Sequence, residues 1–138
     1  MDLLLKDKVA LITGASKGLG AATATALAEE GVNLILTARD EKALQMQADR
    51  LTTEHGVRAI PIAADLTEAG ISDTLVKQSI NTLGRIDILV NSAGASQGGV
   101  FWEIPEEVWQ DSMELKVMGT IRMMRAVIPH MIENQSGR

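Results

Sequence analysis

Residues 13–20 read Thr13-Gly14-Ala15-Ser16-Lys17-Gly18-Leu19-Gly20, directly after the apolar run Val9-Ala10-Leu11-Ile12 and ahead of an alanine-rich stretch that runs to Glu30 and stops at Gly31. An unbroken apolar run of this length suits a strand buried on both faces, and the alanine-rich stretch suits a helix. Three glycines between them let the chain turn tightly. They also leave room for an anion to reach the free N–H groups at a helix N-terminus, where the dipole favours negative charge. The stretch therefore predicts a strand–turn–helix unit built to hold a nucleotide pyrophosphate.

The same alternation continues outward. Val32 to Leu36, Val57 to Ile62 and Ile86 to Val90 are further apolar runs. Between them, Asp40 stands as N-cap to a helix over residues 41–54, and Thr67-Glu68-Ala69 opens a third helix that stops near Gly84. A long helical tract follows from Pro105 to about Ile132, with apolar positions at Val108, Leu115, Met118, Ile121 and Met124. Its methionines suit core or subunit packing. The order β-α-β-α-β-α-β with right-handed crossovers predicts an α/β fold: a Rossmann-type, doubly wound parallel sheet in strand order 3-2-1-4. At 138 residues, without linker or repeat, the expectation is a single dinucleotide-binding domain over 1–138.

Composition narrows the function classes. The net charge of −5 argues against a nucleic-acid or anionic-membrane partner, and Leu3-Leu4-Leu5 is too short a run for a signal peptide or a membrane span. With no cysteine there is no thiolate ligand, and His55 and His130 have no second ligand at metal spacing, so no metal is expected. The lack of cysteine also fits a cytoplasmic location. Phe101 and Trp102 follow Gly98-Gly99; they either border a substrate or, the favoured reading, form a buried pair.

The spacing Thr-Gly-x-x-x-Gly-x-Gly is neither Gly-x-Gly-x-x-Gly nor a P-loop, and here the sequence resembles the short-chain dehydrogenase/reductase family. Asp65-Leu66 after the third run matches the family's adenine-binding Asp. Asn91-Ser92-Ala93-Gly94 is similar to its Asn-Asn-Ala-Gly, with Ser92 for the second Asn. Trp109, Lys116 and Gly119 repeat the spacing of its Trp, catalytic Asn and Gly, with Lys116 in place of the Asn.

The resemblance implies hydride transfer between a nicotinamide and a carbonyl or alcohol substrate. It assigns the cofactor to Gly14, Ser16, Lys17, Gly18, Leu19, Gly20, Arg39, Asp65, Leu66, Asn91, Ala93 and Gly94, and gives Lys116 a candidate catalytic role. It also implies a homo-oligomer at full length.

Ala38 stands where an NAD-type acid would bind the ribose 2′-hydroxyl, and Arg39 follows it. With Lys17 on the same side, two charge-assisted bonds to a 2′-phosphate, each about 1.5–3 kcal/mol, favour NADP over NAD by roughly a hundredfold. Asp40 as a ribose ligand is the weaker alternative.

The family's proton chemistry belongs to a Ser and a Tyr-x-x-x-Lys downstream, and this chain has no tyrosine. The expectation is an N-terminal portion that ends at the entry to strand five, inactive by itself. The alternatives are a non-catalytic NADP(H)-binding or regulatory module and, against the wide glycine turn, a methyltransferase or nucleotide-sugar enzyme.

Overall fold

A computed structural model describes residues 3–95 and 98–138. Four strands, β1 (Val9–Thr13), β2 (Asn33–Ala38), β3 (Ala59–Ala63) and β4 (Ile88–Val90), form a parallel sheet in the order β3-β2-β1-β4. The helices are α1 (Gly18–Glu29), α2 (Glu41–His55), α3 (Ile71–Leu83), α4 (Glu106–Met113) and α5 (Gly119–Glu133). This is the expected doubly wound sheet.

Alternation along the strands sorts side chains to two cores. Ala10, Ile12, Leu34 and Leu36 pack with Ala24, Ala28, Leu44 and Leu51 of α1 and α2. Leu11 and Ile35 pack on the other face with Leu75 and Val76 of α3 and Met123 and Val127 of α5. The buried residues of α1 are Gly20, Ala24 and Ala28, a stripe without bulk that lets the helix lie close to the sheet.

Three expectations needed adjusting. The third helix begins at Ile71, not Thr67: Asp65 closes a turn over residues 65–67, its carboxylate accepting from Thr67 N–H (3.0 Å) and hydroxyl (2.7 Å), and Gly70, left-handed at φ +75°, breaks the path before Ile71. The fourth strand is confined to Ile88–Val90, because the Asp87 side chain is engaged at the foot of β1, accepting from Val9 N–H at 3.0 Å. The long helix runs without a break from Glu106 to Glu133, but its middle widens into a π-helical turn at Glu114–Met118 that separates α4 from α5. Along it, Met123 alone among the methionines is in the buried core. Met113, Met118 and Met124 lie on an exposed apolar face with Trp109, Val117, Ile121, Ile128 and Ile132.

The two rims of the sheet differ. Leu34 N–H donates to Arg58 carbonyl and Ala64 N–H to Ala38 carbonyl, so the even-numbered residues of this stretch point to β2 and Pro61 points outward. Beside β4, Arg138 N–H donates to Asp87 carbonyl and Leu89 N–H to Arg138 carbonyl, both at 2.9 Å.

Candidate dinucleotide site

The strand order reverses between β1 and β4, and the carboxyl ends of strands at such a switch form a crevice. Every residue expected at the cofactor lies at that end of the sheet or on a connection leaving it. Gly14 to Gly20 leave β1, Arg39 follows β2, Asp65 and Leu66 follow β3, and Asn91, Ala93 and Gly94 follow β4. Lys116 lies in the π-helical turn.

The turn is shaped by what its glycines lack. Gly14 and Gly18 have φ of +65° and +57°, which other residues adopt at a cost. A Cβ on Gly14 would lie 2.6 Å from Ser92 carbonyl oxygen, and one on Gly20 would collide with Gly14 carbonyl. The turn thus fits against the Ser92-Ala93 backbone on one side and the start of α1 on the other. Around Gly18, by contrast, a Cβ would meet nothing within 4 Å.

Lys17, the N-cap of α1, makes no side-chain cap, and the first intrahelical bond runs from Ala21 N–H to Lys17 carbonyl at 3.2 Å. The N–H groups of Gly18, Leu19 and Gly20 have no acceptor among the described residues. A turn opened by three glycines, with a row of free donors at a helix N-terminus, fits a pyrophosphate.

Thr13, the first residue of the Thr-Gly turn, has a role that the motif alone does not announce. Its hydroxyl is buried, accepts from Ser92 N–H and Ala93 N–H at 3.0 Å each, and donates to Val90 carbonyl at 3.4 Å. One side chain thereby fixes the segment after β4 against the glycine turn. A buried threonine at the last position of β1 was the available signal. Thr37 contributes similarly through its backbone, its carbonyl accepting from Ala15 N–H at 3.1 Å.

Lys17 and Arg39 are both exposed, and neither makes an ion pair among the described residues. Asp40 is engaged as the N-cap of α2, accepting from Ala43 N–H at 2.9 Å. Hydrogen bonds from the Thr67 N–H and hydroxyl hold the Asp65 carboxyl below its usual range, and the Arg39 guanidinium acts in the same direction. Arg39 and Asp65 therefore share one neighbourhood across the ends of β2 and β3.

Leu66 is only 5% exposed, and a Cβ on Gly119 would lie 3.7 Å from its own, so its side chain serves the core and only its backbone can serve a ligand. Leu19 is 83% exposed at the lip of the turn. Asn91 is exposed, and Ala93 is half-buried.

Phe101 and Trp102 are not the buried pair expected. Both are exposed, and Phe101 instead meets Trp109 edge-on at 5.4 Å between ring centres.

The family model described as short chain dehydrogenase matches residues 8–138. An uncharacterized oxidoreductase of Staphylococcus saprophyticus is 38% identical over 133 residues, 96% of this chain and 57% of that relative. Among solved structures, L-sorbose reductase from Gluconobacter frateurii, complexed with NADPH and L-sorbose, superposes with a TM-score of 0.93 at 36% identity, over 99% of this chain and 52% of that one. An alcohol dehydrogenase from Thermococcus sibiricus, complexed with 5-hydroxy-NADP, gives 0.89 at 31% identity, over 95% and 56%. The chain spans about half the length of these relatives.

Proposed function

Because the chain belongs to the short-chain dehydrogenase family, we propose that it holds NADP(H) for an oxidoreductase acting on a carbonyl or alcohol substrate. The observation that carries this reading is the row of free N–H groups of Gly18, Leu19 and Gly20 in a turn whose three glycines leave the backbone bare. The two structural neighbours complexed with NADPH and 5-hydroxy-NADP support the choice of cofactor. The chemistry supplied by the bound dinucleotide is hydride transfer.

The chain's own residues bind and orient. The glycine turn, with Ser16, receives the pyrophosphate, and Lys17 and Arg39 pair with the 2′-phosphate. Asp65, whose second oxygen is left over from the Thr67 contacts, takes the adenine amine, and Asn91, Ala93 and Gly94 line the opposite side. With no tyrosine, these residues supply cofactor binding and not the family's proton transfer.

We place the protein in the cytoplasm. The exposed apolar face of α4 and α5 supports assembly into a homo-oligomer.

Equilibrium titration with NADPH and NADH tests the reading. Wild type is expected to prefer NADPH, and Arg39→Asp to reverse the preference. Unchanged NADPH affinity in that variant would refute the role of Arg39, and no binding of either nucleotide would refute the site.

A further inference from the structure

Lys116 sits in the middle of the π-helical turn Glu114–Met118, and such turns recur at functional sites because they re-aim a side chain within a helix. Its stem has a defined path. A Cβ on Gly94 would lie 3.3, 3.6 and 3.9 Å from Lys116 Cε, Cγ and Cδ, so three stem carbons lie against the bare backbone of Gly94.

The side chain is nonetheless exposed, as expected when a lysine packs its carbons and leaves the ammonium in water. That ammonium has no hydrogen bond or ion pair among the described residues. Glu114, the nearest acid in the turn, is held by Arg122.

The sheet order says which half of a ligand this cation meets. Arg39 and Asp65 stand at the ends of β2 and β3, on one side of β1, and β4 with Gly94 lies on the other. A dinucleotide laid across the switch point puts one nucleotide on each side. The Ser92-Ala93 backbone already touches the glycine turn, and Gly94, which carries the Lys116 stem, is the next residue.

We propose that Lys116 donates to the ribose–phosphate of the nicotinamide nucleotide, as a third cation of the site opposite Lys17 and Arg39. The inference rests on the NADP(H) reading above.

The test is lysine acylation of the 138-residue chain, read for each residue by peptide mass spectrometry, with no ligand, with NADPH, and with 2′,5′-ADP, which carries the phosphorylated adenosine half alone. At ten times Kd, a contacted lysine should react about ten times more slowly. Lys116 should be protected by NADPH and not by 2′,5′-ADP, and Lys17 by both. Protection of Lys17 alone by NADPH overturns the inference and leaves the cofactor reading standing. Protection of neither lysine overturns both.

In parallel, Lys116→Met should weaken NADPH binding about tenfold, while Lys116→Arg retains most of it. Unchanged 2′,5′-ADP affinity in Lys116→Met shows that the variant is folded. Equal NADPH affinity of the Met and Arg variants refutes the contact.

Discussion

Replacing Thr13 by valine keeps the branched shape and deletes a single hydroxyl, so it isolates the joint between the glycine turn and the segment after β4. Valine fills the same space, and the cavity cost is small; what is lost is an acceptor for two backbone N–H groups, those of Ser92 and Ala93. An unpaired buried donor costs about 1–3 kcal/mol. Ser92 and Ala93 are half-buried, so water can take up part of the loss, and the 3.4 Å bond to Val90 carbonyl adds little. The expected destabilisation is about 2 kcal/mol, or roughly a 1 M fall in the urea midpoint.

Thr13→Ser makes the opposite trade. It keeps the hydroxyl and loses one buried methyl, at a cost of about 1 kcal/mol. Urea unfolding of both variants, with NADPH titration alongside, decides the matter. Valine should be the worse of the two in stability and in NADPH affinity, although it is the closer match in size. A valine variant at least as stable as the serine variant would refute the reasoning that this hydroxyl joins the two segments.

Two further outcomes follow from the same geometry. Gly20→Ala forces a Cβ onto Gly14 carbonyl, so NADPH affinity should fall about tenfold or more even though alanine is the better helix former; unchanged affinity by titration would show that the turn can open without loss. Burial pushes the Asp87 carboxyl up, but hydrogen bonds from Val9 N–H, Arg85 and Ser136 outweigh it and leave the pKa below the ordinary 3.8. A carboxyl depressed in the folded state stabilises above its unfolded pKa and loses that contribution as pH falls through the folded one. Asp87→Asn should therefore flatten the loss of stability between about pH 5 and pH 3, and an unchanged acid limb in urea melts would count against it.

The sheet, and the gathering of the candidate site residues at its carboxyl end, were legible because both rest on local signals. Unbroken apolar runs such as Val9 to Ile12 mark strands covered on two faces, and the Gly14-Gly18-Gly20 spacing marks the turn directly. The Asp40 cap was equally readable from composition at a helix start. What escaped depended on contacts distant in sequence or on a choice between near-equal backbone geometries. Thr67 marks a turn closed by Asp65, and α3 starts about one turn later because Gly70 is left-handed. The π-helical turn has no signature in the apolar period, which passes through it from Met113 to Ile121. Lys116 was located by spacing, but the passage of its stem over Gly94 joins residues far apart in the chain. Phe101 and Trp102 stay exposed because burial depends on what packs over a side chain and not on its apolar character alone.

Pro61 gives the sheet a polarity of growth. Its missing N–H falls on the outer rim of β3, where an incoming strand would find a donor absent midway, and a broken ladder is a poor template. The rim beside β4 has no such interruption and already accepts Arg138. A strand that lengthens this sheet, whether from this polypeptide or another, is thereby directed to the β4 side, away from the ends of β2 and β3 where Arg39 and Asp65 stand. Edge-to-edge recruitment and access to those two residues are kept on opposite flanks.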